Sequence, residues 1–166
     1  MPDWTFALTP RDEGALPPYA GFRPLALAIF RDGPRILVED SEAWDPRDRF
    51  YRPPGGGVEF GERAIEALRR EMGEEFGAEI SDVRQLGTLE SIFEYQGRPG
   101  HEIVFVFEAR FVDRSFYEAE RIVGTEGDGV RIEAIWIDVS APLDRPLYPD
   151  GMLALLQARG AAGPER

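Results

Sequence analysis

One segment, Gly55–Ala78, constrains the fold of this chain more than any other part of its sequence. It reads GGGVEFGERAIEALRREMGEEFGA, a glycine turn followed by a stretch in which apolar side chains recur at helical spacing. The apolar positions that share one helical stripe are Ile65, Leu68, Met72 and Phe76. This pattern predicts an amphipathic helix over about Glu62–Phe76, with Gly77 as its left-handed cap. Gly73, inside this helix, costs about 1 kcal/mol relative to alanine, which predicts a close approach by another segment.

Three glutamates, Glu71, Glu74 and Glu75, stand at positions i, i+3 and i+4 of the predicted helix. Residues at this spacing are neighbours on a helix surface, and like charges there repel each other. An acidic helix alone is more often a solvated face than a binding site. A hard divalent cation, however, favours carboxylate oxygens and would turn the repulsion into binding. Next to the glycine turn, the acids therefore predict a metal site beside a phosphate-binding turn.

Size and charge limit the possible partners of the chain. Its 166 residues and 18.7 kDa suit one domain over 1–166, with an irregular lead-in at 1–20 and a frayed tail at 160–166. The formal charge of −12 argues against a nucleic-acid polymer or an anionic membrane surface as partner. The absence of cysteine excludes disulfides and thiolate metal sites, and the start MPDWTF shows no secretory pattern. A soluble cytoplasmic protein is therefore expected.

The rest of the sequence alternates strand patterns with turns. The predicted strands are Phe22–Phe30, Arg35–Glu39, Val83–Tyr95, His101–Phe111 and Ile132–Val139. The turn Arg31-Asp-Gly-Pro predicts that the first two strands form a hairpin. Ser41–Phe50 and Asp113–Arg131 are predicted to be polar loops, and a short helix is predicted over about Gly151–Ala158. Mixed strands around one long internal helix predict a single α/β domain.

The glycine turn and helix together resemble the signature of the Nudix hydrolase family, G-x5-E-x7-R-E-U-x-E-E-x-G-U, where U is a bulky aliphatic residue. The positions that match in register are Gly56, Glu62, Arg70, Glu71, Met72, Glu74, Glu75 and Gly77. The last position holds Ala78, a small departure that affects packing more than chemistry. The resemblance implies the α/β/α sandwich of that family, with a mixed sheet and one long catalytic helix.

The resemblance also implies a role for each matching residue. Arg70 would hold the glutamates in place, and Glu62 would support the site through hydrogen bonds. The implied reaction is metal-dependent hydrolysis of a nucleoside diphosphate linked to another group. The implied ligands of two or more Mg²⁺ or Mn²⁺ ions are Glu71, Glu74, Glu75 and the carbonyl oxygen of Gly55.

The residue that accepts the proton of the attacking water varies across the Nudix family, so the signature does not identify it. The candidates are Glu126, in the glycine-containing loop before the last strand, and Glu118 or Glu120 earlier in that loop. Glu126 is the favoured candidate. His101 is the only histidine, which disfavours histidine-based zinc sites and most Ser-His-Asp arrangements.

Three further residues are candidates for substrate binding. Arg52, just before the glycine turn, could contact a phosphate or form a surface ion pair, and Tyr51 could stack on a base or pack in the core. Tyr95 falls at a spacing from Ala78 that resembles dinucleoside-polyphosphate-cleaving members of the family. Dinucleoside polyphosphates are therefore placed slightly ahead of damaged nucleoside triphosphates, with nucleotide sugars third. A catalytically silent nucleotide-binding or regulatory module is the alternative, and a homodimer is left open.

Overall fold

A mixed β-sheet separates the two main helices of the molecule. The computed structural model describes residues 22–40, 49–95, 98–126 and 129–161, without the side chains of residues 95, 98 and 159–161. The strands are β1 Phe22–Asp32, β2 Arg35–Asp40, β3 Tyr51–Arg52, β4 Gly55–Gly57, β5 Ile80–Tyr95, β6 Arg98–Phe111, β7 Arg121–Thr125 and β8 Arg131–Asp138. The helices are α1 Ala64–Phe76, α2 Ser115–Glu118 and α3 Met152–Ala161.

The strand order is β5-β6-β1-β2-β8-β7, with β3 beside β2 and β4 beside β1. Strands β1 and β6 run parallel, and the other pairs are antiparallel. The predicted hairpin of β1 and β2 is confirmed, but the strands pair only beside the turn, where Arg31 faces Ile36 and Asp32 faces Arg35. Farther along, β1 pairs with the glycines of β4 and β2 pairs with β3. The glycine turn therefore lies where the two halves of the sheet part.

One hydrophobic core lies between the sheet and α1, and a second lies on the sheet face that α3 covers. In the first core, Leu68 and Met72 of α1 are fully buried against strand residues such as Phe30. In the second core, Met152 and Leu156 of α3 pack with apolar residues of β1, β2 and β6. The alternation of inward positions along β1 serves both cores, since its even-numbered and odd-numbered residues face opposite sides. The predicted α/β/α sandwich is confirmed.

Helix α1 ends where the sequence predicts and begins slightly later than the predicted Glu62. It begins at Ala64, and the Glu66 carboxylate accepts the Arg63 backbone N–H at 2.9 Å, which satisfies a donor at the helix start. It ends at Gly77, whose φ of 63° is the left-handed conformation expected of that residue. The prediction for Gly73 is wrong, because this residue is exposed and a Cβ added to it would meet no atom within 4 Å.

The prediction of a long loop over Asp113–Arg131 is also wrong. The segment forms the short helix α2 and the edge strand β7, which pairs with β8 along its whole length. Only Ile122 and Gly124 of β7 are buried, so the strand presents a single large apolar side chain to the core. Gly124 is required by close packing, since a Cβ there would fall 2.5 Å from the Glu75 carbonyl oxygen. Of the predicted loop at Ser41–Phe50, residues 41–48 lie outside the described residues.

Candidate active site

Arg70 connects the acids of α1 to the glycine turn. Its Nε and Nη2 donate to the two carboxylate oxygens of Glu62 at 3.0 and 3.1 Å, and Nη2 also donates to the Gly57 carbonyl at 2.9 Å. Its Nη1 donates to Glu71 at 3.0 Å and to Glu74 at 3.1 Å. These bonds to carboxylates, led by the one to Glu62, raise the pKa of Arg70 and keep it charged. One guanidinium thus fixes the relative positions of three glutamates.

The glycine turn is shaped by close contacts that exclude a side chain. Gly55 has a φ of 134°, and a Cβ there would fall 2.1 Å from the carbonyl oxygen of Ala26 in β1. At Gly56 a Cβ would fall 2.4 Å from Cδ of Glu71, so the backbone of the turn lies against this carboxyl group. The sequence can therefore bring turn and carboxylate together only with glycine at these positions.

The three glutamates of α1 differ in exposure. The Glu74 side chain is 62% exposed, the Glu71 side chain is 15% exposed, and Glu75 as a residue is 6% exposed. Glu75 therefore points into the sheet, and its Oε2 is buried without a hydrogen-bond partner among the described residues. Burial raises the pKa of Glu75 to about 9, and the negative charges of Glu39, Glu126 and Glu71 act in the same direction. Such a carboxyl group holds its proton at neutral pH unless a cation replaces it.

Glu71 is intermediate in exposure between Glu74 and Glu75. Burial raises the pKa of Glu71, the bond from Arg70 opposes this, and the charges of Glu74 and Glu126 add to the rise. Glu62 behaves oppositely, because the bond from Arg70 lowers its pKa. Its Oε2 also accepts the Glu59 backbone N–H at 3.1 Å. An acidic cluster is formed by Glu62, Arg70, Glu71, Glu74 and Glu75. In it, the ionised forms of Glu62 and Arg70 are stabilised, whereas those of Glu71 and Glu75 are destabilised.

Glu39 of β2 is a member of this cluster that the sequence analysis missed. It is 1% exposed and faces the same core as α1, and its Oε2 accepts a bond from Arg52 Nη2 at 3.3 Å. Its Oε1 is buried and has no partner among the described residues. Burial raises the pKa of Glu39 to about 7 despite the opposing charge of Arg52. A signal was present in the sequence, since this acid directly follows the apolar run Ile36–Val38 of a buried strand.

Arg52, predicted as a possible phosphate contact, pairs with this buried acid. Burial by itself lowers the pKa of Arg52, but the charges of Glu39 and Glu75 outweigh it and the net pKa is raised. Its Nε is buried without a partner in the described part of the chain. Arg52 therefore forms an ion pair inside the acidic cluster, and not the surface ion pair that the sequence left open.

Glu126 follows β7 and is half-buried. Its charge raises the pKa of Glu39, Glu71 and Glu75, so it is electrostatically part of the cluster. The other candidates for the base, Glu118 at the end of α2 and Glu120 after it, are both exposed. The structure thus brings Glu126 close to the glutamates of α1.

The two predicted tyrosines are not both in reach of the cluster. Tyr51 is 5% exposed and packs in the α3-side core, its hydroxyl donates to Asp144 at 3.0 Å, and the Arg145 guanidinium lies 5.1 Å from its ring centroid. Alternation along β3 puts it on the opposite face of the sheet from Arg52. The structure thereby corrects the prediction of Tyr51 as a base contact and assigns it to the core. Tyr95 is the last residue of β5, and its side chain lies outside the described part.

The donor set of the cluster fits a hard divalent cation. The acids supply oxygen ligands only, and two buried carboxylate oxygens, on Glu39 and Glu75, have no donor facing them among the described residues. Within residues 22–40, 49–95, 98–126 and 129–161, no three acidic or histidine side chains are already drawn together around one metal position. Arg70 bonds to one oxygen each of Glu71 and Glu74, so a cation at this site would share these two carboxylates with it.

Most of the chain, including the whole acidic cluster, matches a known protein family. A family model described as NUDIX domain matches residues 21–154. No curated protein sequence matches the chain. In the described part of the chain, no helix has the length and apolar character required to cross a membrane.

Several solved structures share the fold at low sequence identity. A MutT NUDIX hydrolase from Burkholderia pseudomallei is 24% identical, with a TM-score of 0.61, over 82% of this chain and 98% of that one. A NUDIX hydrolase from Nitrosomonas europaea is 16% identical, with a TM-score of 0.60, over 86% and 90%. The E. coli ORF135 protein is 22% identical, with a TM-score of 0.55, over 87% and 95%.

Proposed function

We propose that this chain, which belongs to the NUDIX family, is a pyrophosphohydrolase that uses Mg²⁺ or Mn²⁺ to cut a diphosphate linkage in a nucleotide derivative. The observation that carries this proposal is Glu75, a buried carboxyl group whose Oε2 has no partner among the described residues and whose neighbours are acids. An uncompensated buried charge is costly, and a divalent cation is the partner that would offset it. The proposed metal ligands are Glu71, Glu74, Glu75 and the carbonyl oxygen of Gly55.

The side chains around these ligands take distinct roles in the proposed reaction. Arg70 and Glu62 hold the acidic residues in position through the bonds between α1 and the turn. Glu126 accepts the proton of the attacking water, because it is the half-buried acid whose charge acts on Glu71 and Glu75. Held by these residues, a divalent cation would supply positive charge against the diphosphate oxygens and the leaving phosphate.

For the substrate, we propose a dinucleoside polyphosphate ahead of a nucleoside triphosphate and a nucleotide sugar. The support is the sequence spacing between Ala78 and Tyr95, the last residue of β5. Arg52 is the proposed phosphate contact, since it lies just before the glycine turn and its side chain is 28% exposed. The net charge of −12 favours a substrate that arrives as a metal complex.

A substrate panel tests this proposal. Dinucleoside polyphosphates, deoxynucleoside triphosphates and nucleotide sugars are incubated with Mg²⁺, and the phosphate-containing products are separated and quantified. We expect Mg²⁺-dependent cleavage of at least one class. Absence of turnover across the panel, with Mg²⁺ binding retained, would instead support the alternative of a catalytically silent binding module.

A matched pair of variants ties the activity to the cluster. Glu75→Gln removes the buried acid, while Glu79→Gln removes an exposed acid just beyond the end of α1. We expect Glu75→Gln to lose turnover and Glu79→Gln to keep it. Equal effects of the two substitutions would show that general charge, and not the site, controls the rate.

A further inference from the structure

Two buried carboxylate oxygens in the acidic cluster lack a hydrogen-bond partner in the described part of the chain. Oε1 of Glu39 and Oε2 of Glu75 are both buried, and neither has a hydrogen-bond partner among the described residues. Glu39 is 1% exposed and Glu75 is 6% exposed, so bulk water would not compensate their charges once the two groups ionise. Leaving one buried charged acceptor unsatisfied is already expensive, and two in one core are more so.

The two acids belong to different elements that face each other across one core. Glu39 is on β2 and Glu75 is on α1. Among the charged groups that act on Glu75, Glu39 contributes most to raising its pKa, second only to burial. Only Glu75 is part of the helical sequence pattern. Glu39 lies far from it in the chain and reaches the cluster because β2 pairs with β3, which leads into the glycine turn.

Arg52 satisfies only part of this charge. Its Nη2 donates to Oε2 of Glu39 at 3.3 Å, a long hydrogen bond, and its Nε has no partner among the described residues. The charges of Glu39, Glu75, Glu102 and Glu126 all act on Arg52, and within the described ranges only Glu102 has a further cation, Arg23, bonded to it. Among the residues that the structure describes, Oε1 of Glu39 and Oε2 of Glu75 therefore still lack a positively charged partner in addition to Arg52.

We propose that Glu39 is a further ligand of the divalent cation, which it binds through Oε1 together with Glu75 while Oε2 stays bonded to Arg52. This inference rests on the proposed function, since it assumes that a cation binds at these carboxylates. It extends the ligand set from the helix to the sheet. Arg52 then balances part of the Glu39 charge at Oε2, while Oε1 stays available to the cation.

Direct measurement of Mn²⁺ binding to the full chain tests the inference. Isothermal titration calorimetry and electron paramagnetic resonance of free Mn²⁺ give the affinity and the number of ions bound, independently of turnover. We expect Glu39→Gln to weaken Mn²⁺ binding by about tenfold or more, because it exchanges an anionic ligand for a neutral one. The control Glu79→Gln is expected to bind Mn²⁺ like the unsubstituted chain.

A second variant separates a ligand from a purely structural partner of Arg52. Arg52→Gln removes the guanidinium but leaves the Glu39 carboxylate, so Mn²⁺ affinity is expected to be retained or increased. Equal weakening by Glu39→Gln and Arg52→Gln would overturn the inference, since Glu39 would then act only through Arg52. Mn²⁺ affinity of Glu39→Gln within about twofold of the unsubstituted chain would overturn it as well.

Folding of the variants is controlled in the same series. Glu39→Gln removes the acid to which Arg52 is bonded, so the double variant Glu39→Gln/Arg52→Gln removes both members of this ion pair together. This double variant is also expected to lose Mn²⁺ affinity, and an unchanged affinity would overturn the inference. If the unsubstituted chain bound no Mn²⁺, the proposed function and the inference would both fail. If Glu75→Gln lost binding while Glu39→Gln kept it, only the inference would fail.

Discussion

The carboxyl group of Glu75 holds its proton far more tightly in the folded chain than in the unfolded one. Its pKa is about 9 when folded, against an ordinary value of 4.5. Above the unfolded value, the unfolded chain releases this proton while the folded chain retains it, so rising pH favours unfolding. Each unit of pKa difference corresponds to about 1.4 kcal/mol at full effect. The burial of Glu75 thus costs stability in the absence of a bound cation.

A substitution at Glu75 should separate stability from activity. Glu75→Gln is expected to lower kcat/KM by about a hundredfold or more, because it removes the anionic charge of a proposed metal ligand. In the absence of divalent cations at pH 8, the same variant is expected to unfold at a higher temperature, because it removes a buried titrating acid. Steady-state kinetics and thermal denaturation measure the two effects. A near-normal rate would contradict the assignment of Glu75.

Arg70 offers a second test at the residue scale. Arg70→Ala removes the donor that joins Glu62, Glu71 and Glu74, so these acids lose their fixed separation. We expect Mg²⁺ affinity, measured by calorimetry, to fall by about tenfold or more. Arg70→Lys should restore it only in part, since an ammonium group lacks the planar fork of donors. Unchanged Mg²⁺ affinity in Arg70→Ala would contradict this positioning role.

The sequence predicted the helical part of the site well and its other parts poorly. Arg70 and Glu71 meet as expected, because their relation depends on local helix geometry and a short turn. Glu39 and Arg52 meet only through the pairing of β2 with β3, which no local spacing encodes. The sequence left Tyr51 open between a base contact and the core for a similar reason, since the face to which a strand residue points depends on the register of the sheet.

At the scale of elements, the glycines of the turn and helix differ in what limits them. Gly56 lies against the Glu71 carboxyl group, and a Cβ there would fall 2.4 Å from Cδ of Glu71. Gly73 has open space around it on the exposed side of α1. A side chain at Gly56 would therefore displace Glu71, whereas packing does not prevent a side chain at Gly73.

A pair of alanine substitutions tests this difference. Gly73→Ala is expected to stabilise the protein by up to about 1 kcal/mol, through the greater helix propensity of alanine, with little effect on the rate. Gly56→Ala is expected to lower both Mg²⁺ affinity and activity, because the new methyl group displaces the Glu71 carboxylate. Urea denaturation and steady-state kinetics of the two variants provide the comparison. Destabilisation by Gly73→Ala would contradict this account, because it would mean that another segment packs against α1 at Gly73.

Most elements followed from the sequence, and the exceptions have a physical reason. Strands β1 and β6 are recognisable because each carries a long apolar run, LALAIF in β1 and IVFVF in β6, in the sheet centre. Strand β7 was not predicted because its inward positions are Ile122 and Gly124, so the alternation of apolar and polar residues is weak. Its place at the sheet edge came from pairing with β8 and from packing against α1.

At the scale of the whole molecule, the buried acids make stability depend on pH and on cations together. Glu39, with a pKa of about 7, adds to the effect of Glu75. Both folded values lie above the unfolded one, so without divalent cations stability should decline as pH rises from about 4.5 towards 9. Added Mg²⁺ should reduce this decline, because it binds the deprotonated acids of the folded chain only. Melting temperatures across this pH range, with and without Mg²⁺, measure it, and identical curves would contradict the prediction.

The location of a bound cation tests the central claim most directly. Crystals of the protein grown or soaked with Mn²⁺ would be measured at a wavelength that gives an anomalous signal from manganese. We expect an anomalous peak in contact with the carboxylates of Glu71 and Glu75, beside the glycine turn. Stoichiometric Mn²⁺ binding in solution, with the peak elsewhere on the molecule and none at these acids, would contradict the account.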